Sequence, residues 1–478
     1  MLTDHDRDAE LLRCDLLIAL GDAQMRAGDT KYRETVAQAV EIARTLGDAK
    51  RFARAVLGIS RPEEPFANSS SMLGESFIGL YEEAMALLGN EDDKILRAKL
   101  YFHLAGEMFH NKKTTEREKR KELSRQAVTL ARQCGDRKVL AQALHFYATA
   151  INDPTNLQER LNLSAEQIAV ADESAGSETR WAAAYQRLGA LLESGDIEGA
   201  EQMLSRMKDL SSKLREPFFS WITGIATAMI SIMRGVPGAE DDALAAYRIG
   251  EAAGQSEANS SYVAQLSSIR RDQGRYSELI DPVRRNAESL VHLPVWRLAL
   301  AGLYCELDRH DEARNELNML EGGGFEIPIE WTWASIITIL AQVCADLDYR
   351  DLAALYYPKV QQVAGQVGVT GMALVCYGSL AFPCGQFAAC LGRWEEAEQY
   401  FNQAAKVNAE IGARPYLVRT WRAHAKMLLE RNEPGDHSHA VELIDQAYAE
   451  AGRLAMKREL ARLDQLRQRA KMFETPLP

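Results

Sequence analysis

The chain has 478 residues, and single hydrophobic cores stop growing near ~250–300 residues, so the length implies several domains or one long array of repeats. The composition is 46% hydrophobic and 26% charged, which excludes disordered and low-complexity proteins. Acidic residues number 68 against 56 basic ones. The resulting net charge of −12 repels phosphate backbones and anionic lipids, so the surface as a whole does not favour nucleic acids or membranes.

The cysteine pattern and the N-terminus both indicate a cytoplasmic protein. Seven cysteines form no CxxC pair and no loop-rich disulfide pattern, which is typical of a reducing compartment. The acidic start, MLTDHDRDAE, is opposite in charge to a secretory or transit signal. Residues Val360 to Gly392 carry no charge and are numerous enough to span a bilayer, but several glycines and Pro383 interrupt them. We therefore expect no membrane segment.

Helical periodicity runs through almost the whole chain. Nearly every window of about 12–16 residues has apolar residues at i, i+3, i+4 and i+7, and no segment alternates strictly, so the sequence predicts an all-α protein. Breakers such as Gly28-Asp29 and Asn111-Lys112 separate the helices, and from Asn111 onward they lie about 34–44 residues apart. This spacing indicates helical hairpins stacked as a solenoid. The expected hairpins cover residues 9–50, 51–95, 96–135, 136–175, 179–215, 216–255, 258–292, 293–325, 331–368, 378–412 and 415–455, followed by a capping helix and tail over 456–478.

The hairpins share one pattern of small and bulky residues around their turns. Around Gly392 the pattern comprises Gly385 before the turn, then Ala397, Phe401 and Ala404 after it. Parts of it recur at Gly21 and Gly28, at Ala200, Leu204 and Met207, at Ala313, Leu317 and Leu320, and at Ala353, Tyr357 and Val360. The pattern resembles the tetratricopeptide repeat (TPR), which implies a right-handed α-solenoid superhelix of about eleven hairpins with a concave binding groove.

Two passages carry a closer resemblance, to the sensor arrays of bacterial signal-transducing ATPase regulators, including LuxR-type activators and modular adenylate cyclases. The first comprises Ala388–Ala397, Ile411–Leu417, Arg419 and Thr420, and the second comprises Met427–Arg431 and Pro434–Asp436. The resemblance implies a protein-interaction and sensor module. Such a module binds a partner protein or a small ligand in the groove and biases an attached or separately encoded ATPase, cyclase or transcription-factor domain.

The effector parts of such regulators are not found in this sequence. No GxxxxGK[ST] motif is present, and about forty residues after Pro434 leave no room for a helix-turn-helix module, so we expect no direct nucleic-acid contact. The chain is therefore expected to be the sensor half of a larger regulator. The alternative is a free-standing TPR scaffold or adaptor with no sensing role. Either form is compatible with a homo-oligomer.

Aromatic candidates for ligand or partner binding lie in and before the uncharged stretch. Trp331 and Trp333 precede it, and Tyr377 and Phe382 lie within it. These side chains either form an aromatic wall facing a ligand or pack in the core. The stretch itself is either a pocket or subunit contact, or a loop followed by a fully buried helix.

Cationic candidates lie at a predicted helix start. Arg414, Tyr416 and Arg419 could hold a carboxylate or phosphate there, and a solvated helix face is the other interpretation. His437 and His439 flank Ser438, but two histidines in a loop lack the third and fourth ligands of a zinc site, so we expect no metal. No GxSxG, HExxH or glycine-rich dinucleotide turn is present, so the sequence predicts no enzyme and no cofactor.

Overall fold

A computed structural model describes residues 4–27, 29, 31–59, 77–89, 93–110, 114–174, 176–322, 327 and 329–474. The described residues are mostly helical, and the predicted all-α, solenoid-like fold is confirmed. The predicted breakers at Gly28 and Asn111-Lys112 lie outside the described residues. None of the described helices is both long and apolar enough to cross a membrane. All seven cysteines are free thiols.

The chain divides into two compact units. Unit 1 comprises Met1–Asn152, Gln158–Arg187 and Ser205–Phe219, and unit 2 comprises Asp153–Leu157, Leu188–Leu204 and Ser220–Pro478. The described helices up to residue 174 are α1 (Asp4–Arg26), α2 (Tyr32–Leu46), α3 (Ala49–Leu57), α4 (Ile78–Leu88), α5 (Lys94–Glu107), α6 (Thr114–Cys134), α7 (Arg137–Ala150) and α8 (Leu157–Ser174). The next helices, α9 (Ser177–Ser194), α10 (Ile197–Leu214) and α11 (Pro217–Arg234), contribute residues to both units, as α8 does through Leu157.

The remaining helices and one β-hairpin belong to unit 2. They are α12 (Ala239–Ala252), α13 (Ala258–Gln273), α14 (Ile280–Ser289), α15 (Pro294–Glu306), α16 (His310–Gly322), α17 (Trp333–Leu347), α18 (Arg350–Gln361), β1 (Val367–Thr370), β2 (Val375–Ser379), α19 (Ala381–Cys390), α20 (Trp394–Glu410), α21 (Arg414–Arg431), α22 (Asp436–Arg453) and α23 (Lys457–Glu474). Single 3₁₀ turns occur at Met108–His110, Pro154–Asn156 and Tyr276–Glu278.

Small residues allow a close approach of the helices in at least two pairs. In α20 the stripe of Ala397, Phe401 and Ala404 is almost inaccessible to solvent. Gly385 of α19 lies under the Phe401 ring, where a Cβ atom would come within 2.7 Å of Cδ1. A side chain at residue 385 would therefore push the two helices apart. The same relation holds in unit 1, where a Cβ atom at Gly21 of α1 would lie 2.8 Å from Val36 Cγ2 in α2.

Successive pairs are also packed on one another. In unit 2, α15 packs on its neighbour α16 and also on α17, and α17 in turn packs on α19. The first helix of one pair thus covers the first helix of the next. An isolated pair could not bury both of its apolar faces, so each pair depends on its neighbours for a core.

The uncharged stretch contains a β-hairpin that the sequence analysis did not predict. Strand β1 pairs antiparallel with β2, in a register that joins Val367 to Ser379 and Val369 to Cys376. All four residues of β1 and four of the five residues of β2 are buried. Strands of four or five residues buried on both faces show no alternation, and a search for alternating residues therefore misses them. The buried helix that formed part of one of the two interpretations of the stretch is α19, which is buried over residues 381–388.

The hairpin is fixed by hydrogen bonds to residues far away in the sequence of unit 2. Gln265 of α13 donates Nε2 to the backbone oxygen of Leu374 at 3.1 Å. Gln366, just before β1, donates Nε2 to the oxygen of Pro154 at 2.8 Å. At the far end, the N–H of Ser379 donates to Oδ1 of the fully buried Asn408 at 2.8 Å. The bonds to Leu374 and Ser379 satisfy backbone groups of the hairpin itself, and the Gln366 bond satisfies the carbonyl of Pro154.

Replacing Gly378 should test how tightly the hairpin is held. Gly378 has φ +69°, and a Cβ atom there would overlap Oδ1 of Asn408 and lie 2.9 Å from Cβ of Tyr416. Gly392 has φ +72°, with open space around it. Gly392→Ala should therefore cost only the left-handed strain, about 1–2 kcal/mol. Gly378→Ala should cost a further ~1–3 kcal/mol from overpacking. Denaturant titration of both variants checks this, and equal losses would contradict the close packing at Gly378.

Candidate functional site

Four of the residues proposed from the sequence meet around Tyr416 in unit 2. Pro415 occupies the first turn of α21, where its missing N–H costs no hydrogen bond, and Tyr416 follows it. The buried Tyr416 ring meets Tyr377 of β2 edge-on at a centroid distance of 6.2 Å, and Phe382 of α19 at 6.3 Å. Burial raises the pKa of Tyr377 to about 12, so its phenol stays protonated at neutral pH. Arg419 completes the group from the next turn of α21.

Two guanidinium groups contact Tyr416. Arg271, near the end of α13, donates Nη2 to the Tyr416 hydroxyl at 2.7 Å. Its guanidinium carbon lies 5.5 Å from the ring centroid, and that of Arg419 lies 4.9 Å from it. Cation–π attraction of this kind is strongest where the cation is desolvated. The ring therefore holds together the end of α13 and the start of α21.

Arg419 is in turn held by two carboxylates from other helices. It donates Nη2 to Oδ1 of Asp272 on α13, and its Nε lies 3.9 Å from Oε1 of Glu459 on α23. Arg422, one turn further along α21, donates Nε to the other oxygen of Glu459 at 2.5 Å. The Arg419 and Glu459 side chains are 7% and 4% exposed, so these ion pairs are buried. A buried charge is tolerated only when it is paired in this way.

A second group of ion pairs joins α23 to the end of α15. Nη2 of Arg462 lies 3.0 Å from Oε2 of Glu306. Gln342 of α17 donates Nε2 to the other Glu306 oxygen at 2.6 Å. Arg458 donates to the Glu306 backbone oxygen at 2.8 Å and lies 3.3 Å from the exposed carboxylate of Asp308. We call the two groups together the interior charged cluster; it comprises Arg271, Asp272, Glu306, Tyr416, Arg419, Arg422, Glu459 and Arg462.

The cluster strongly favours the ionised form of Glu459. Burial by itself raises the pKa of this carboxyl, but the charges of Arg422, Arg462 and Arg419 outweigh burial and lower it to about 2. Glu459 therefore carries its charge at any physiological pH. Arg271 is the member with an unused donor: its Nε is buried and has no hydrogen-bond partner among the described residues.

The other residues proposed from the sequence lie apart from Tyr416. Trp333 is the first residue of α17 and is fully buried, whereas Trp331 is half-buried just before that helix. Arg414 is partly exposed and donates Nε to Oε1 of Glu450 on α22 at 2.5 Å. Arg414 and Arg419 are thus both engaged with carboxylates of the chain itself. His437 and His439, expected in a loop, lie in the first turn of α22.

Sequence reasoning missed Arg271, Asp272, Glu306, Glu459 and Arg462 as members of the site. The bonds of Arg271, Asp272, Glu306 and Arg462 join residues 145 to 156 positions apart, and Glu459 pairs with Arg422 across 37 positions, so no local pattern specifies these contacts. One local signal was present. Arg419 follows Tyr416 by three residues, so both lie on one face of α21 with the fully buried Thr420. An arginine on a buried helix face requires an acidic partner, because a buried unpaired charge is costly.

Comparison with known proteins gives little that bears on this site. No family model matches the chain, and no curated protein matches it. One similar solved structure is described as a circular tandem repeat protein with novel repeat topology and enhanced subunit contact surfaces. Its sequence is 12% identical, the match covers 99% of this chain and 100% of that chain, and the TM-score is 0.15. A TM-score this low gives no basis for transferring function.

Removing Arg419 should destabilise unit 2 much more than removing Arg414. Arg419→Met leaves Asp272 and Glu459 buried without their shared partner, which typically costs about 3–5 kcal/mol. Arg414→Met removes one partly exposed ion pair from the same helix, worth about 0–1 kcal/mol. Denaturant titrations of the two variants measure the difference. Similar losses would show that the Arg419 ion pairs do not contribute to stability.

The lowered pKa of Glu459 predicts a specific dependence of stability on pH. Because the carboxyl is ionised in the folded chain down to about pH 2, its contribution is fully present above its ordinary pKa and is lost as the pH falls toward 2. Glu459→Gln should therefore reduce the free energy of unfolding at pH 7, by up to about 3 kcal/mol. The difference from the wild type should shrink between about pH 5 and pH 2. The exposed Glu395→Gln serves as control and should differ little from the wild type at any pH.

Proposed function

We propose that this chain is a protein-interaction repeat array whose first helix receives an α-helix of a partner protein. The supporting observation is an exposed apolar seam on α1, formed by Ala9, Leu12, Leu16, Ala19 and Ala23, all exposed. The spacing of these residues alternates between three and four, as on a helix that packs lengthwise against another helix. Leu12 and Leu16 are each 61% exposed, and Leu20 beside them is 48% exposed.

The opposite face of α1 shows that the seam is additional to the core. Cys14 and Gly21 are buried on that face, and α1 packs on α2 there. The helix is therefore apolar on two sides, and among the described residues only one of these sides is covered. Helix α23, by contrast, is mainly polar on its exposed side over residues 457–471, where Lys457, Ala461, Asp464, Gln465, Gln468 and Lys471 are exposed.

Charge favours a partner helix over a second copy of this chain. Asp8, Asp15 and Asp22 lie seven residues apart along one edge of the seam. In an antiparallel self-pairing, this acidic edge would lie along the same edge of the other copy, and like charges in flanking positions oppose such a pairing. Arg51 and Arg54 pair with Asp15, and Arg26 pairs with Asp22 at the exposed end of the edge, so the edge keeps three carboxylates on the side of the seam. A partner helix with an apolar seam and basic residues along one edge fits best.

The finer role that we propose is the sensor and interaction module of a bacterial signalling or transcription regulator. It is supported by the resemblance carried by Ala388–Ala397 and by Met427–Arg431 to the arrays of such regulators. In that role the partner helix belongs to an ATPase, cyclase or transcription-factor domain. The interior charged cluster satisfies most of its charges internally, which supports recognition at the surface of α1 rather than at Tyr416 and Arg419. A scaffold without a sensing role would use the same seam.

Replacing two leucines of the seam should abolish partner binding without unfolding the chain. Leu12→Glu with Leu16→Glu removes the apolar contact, and exposed substitutions of this kind usually change stability by less than about 0.5 kcal/mol each. Leu355→Glu, at a 54% exposed leucine of α18, is the matched control. The measurement is photo-crosslinking from a reactive amino acid in place of Ala19, in lysate of the source organism, with mass-spectrometric identification of the crosslinked peptide.

The expected product is a crosslink to an amphipathic helix of one partner, lost in the double variant and kept in the Leu355→Glu control. A crosslink to a second copy of this chain would assign the seam to self-association and contradict the proposed partner. A partner with ATPase, cyclase or DNA-binding domains supports the regulator role. A partner with none of these supports the scaffold.

A further inference from the structure

Three consecutive helices of unit 2 bring a carboxylate and two imidazoles together. Glu398 of α20, His424 of α21 and His439 of α22 each offer one ligand atom, and the three atoms lie within 4.8 Å of one another. The two imidazole rings meet edge to face with their centroids 5.2 Å apart. This triad is separate from the interior charged cluster, with which it shares only helix α21. Neither the binding residues proposed from the sequence nor the α1 seam includes it.

His424 is fixed in position by packing, and its Nε2 is not engaged by another described residue. Its side chain is 2% exposed and stacks on the Phe401 ring at a centroid distance of 5.6 Å. Its Nε2 is buried and has no hydrogen-bond partner among the described residues. Burial, together with the neighbouring His439, lowers the pKa of His424 to about 4, so the ring is neutral. A neutral imidazole with a free nitrogen is the form that binds a transition metal.

The surroundings of Glu398 orient its carboxylate and supply negative charge. Arg431 donates Nη1 to Oε2 of Glu398 at 2.8 Å, which leaves the other oxygen available. Arg431 also donates Nη2 to Oδ1 of Asp436 at 2.6 Å and Nε to Oδ2 of Asp436 at 2.9 Å. Glu433 adds a third carboxylate 3.6 Å from the same guanidinium. Three carboxylates around one arginine leave a local excess of negative charge, which a divalent cation would neutralise. A ligand carboxylate that is oriented by a hydrogen bond from a neighbouring side chain is typical of metal sites.

We propose that Glu398, His424 and His439 bind a divalent transition metal of the zinc class, with a fourth position open to water. Two histidines and one carboxylate form a known ligand set for zinc. Bonds of ~2.0–2.2 Å in a tetrahedral site bring ligand atoms to about 3.3–3.5 Å from one another. The half-buried side chains of Glu398 and His439 must therefore rotate toward His424 as the ion binds. The bound ion would brace α20, α21 and α22 against each other.

The histidine pair that the sequence makes conspicuous is not the site. His437 is two residues from His439, but its Nε2 hydrogen-bonds the backbone oxygen of Ala470 in α23 at 2.7 Å. The His437 ring thus contacts α23, whereas the His439 ring contacts His424 of α21. His437 therefore provides a matched control: a histidine in the same turn of α22 that does not belong to the triad.

The test is a titration of the metal-free full chain with Co²⁺, whose absorption bands report tetrahedral coordination, followed by competition with Zn²⁺. We expect one saturable site per chain with tetrahedral bands, which Zn²⁺ abolishes. His424→Phe, which keeps the stacking on Phe401, and His439→Asn should each weaken binding by at least 100-fold. Glu398→Gln, at a half-buried residue, should weaken it about 10-fold or more. His437→Asn should bind like the wild type.

Two outcomes would overturn the proposal. One is a wild-type chain that shows no saturable Co²⁺ binding. The other is binding that persists in His424→Phe, His439→Asn and Glu398→Gln alike, because the ion would then occupy other residues. Circular dichroism of each variant identifies any loss of helix. If a histidine variant unfolds, Glu398→Gln decides the matter, since it changes one carboxylate oxygen to an amide and leaves both histidines in place.

Discussion

The buried charge of Arg419 imposes the strongest constraint on unit 2. Its guanidinium has to meet Asp272 and Glu459, and these three residues belong to α21, α13 and α23. Asp272 and Arg419 are 147 residues apart in the sequence. An apolar contact can shift by an ångström and keep most of its energy, but a buried ion pair cannot lose its geometry without leaving a charge desolvated. The pairs therefore fix the register of three helices that apolar packing alone would leave adjustable.

Helix α21 connects most of the features described. Tyr416 and Arg419 near its start belong to the interior charged cluster, His424 in its middle belongs to the Glu398–His439 triad, and Arg431 at its end orients Glu398. A change in the position of α21 would therefore alter both sites together. The α1 seam lies in unit 1 and uses none of these residues. The interior charged cluster and the proposed recognition surface thus involve different residues of the chain.

The sequence predicted what depends on local spacing. The helical period, the close approach at Gly385 and Gly21, and the burial of Ala397 and Phe401 all follow from residues less than about twenty positions apart. The sequence did not predict interactions between residues that are far apart along the chain. In the sequence, Glu459 is one carboxylate in a basic helix. Its pairing with Arg419 and Arg422 is visible only in the structure, where α21 packs on α23. The sequence analysis missed the triad of Glu398, His424 and His439 for the same reason. Glu398 lies 41 residues before His439, on another helix.

The hydrogen bonds of the β-hairpin also determine when unit 2 can fold. Gln366 binds the oxygen of Pro154 across 212 residues, and Gln265 binds that of Leu374 across 109. Chains are synthesised from the N-terminus at about 5–20 residues per second, so Pro154 is made on the order of ten seconds or more before Gln366. In a simple stack of repeats, each pair could pack on its neighbour during this interval. Here the partners of Pro154 and Gln265 lie in or beside the β-hairpin, 212 and 109 residues further along, so unit 2 completes its folding as a late event of high contact order, and its earlier helices are exposed to aggregation until then.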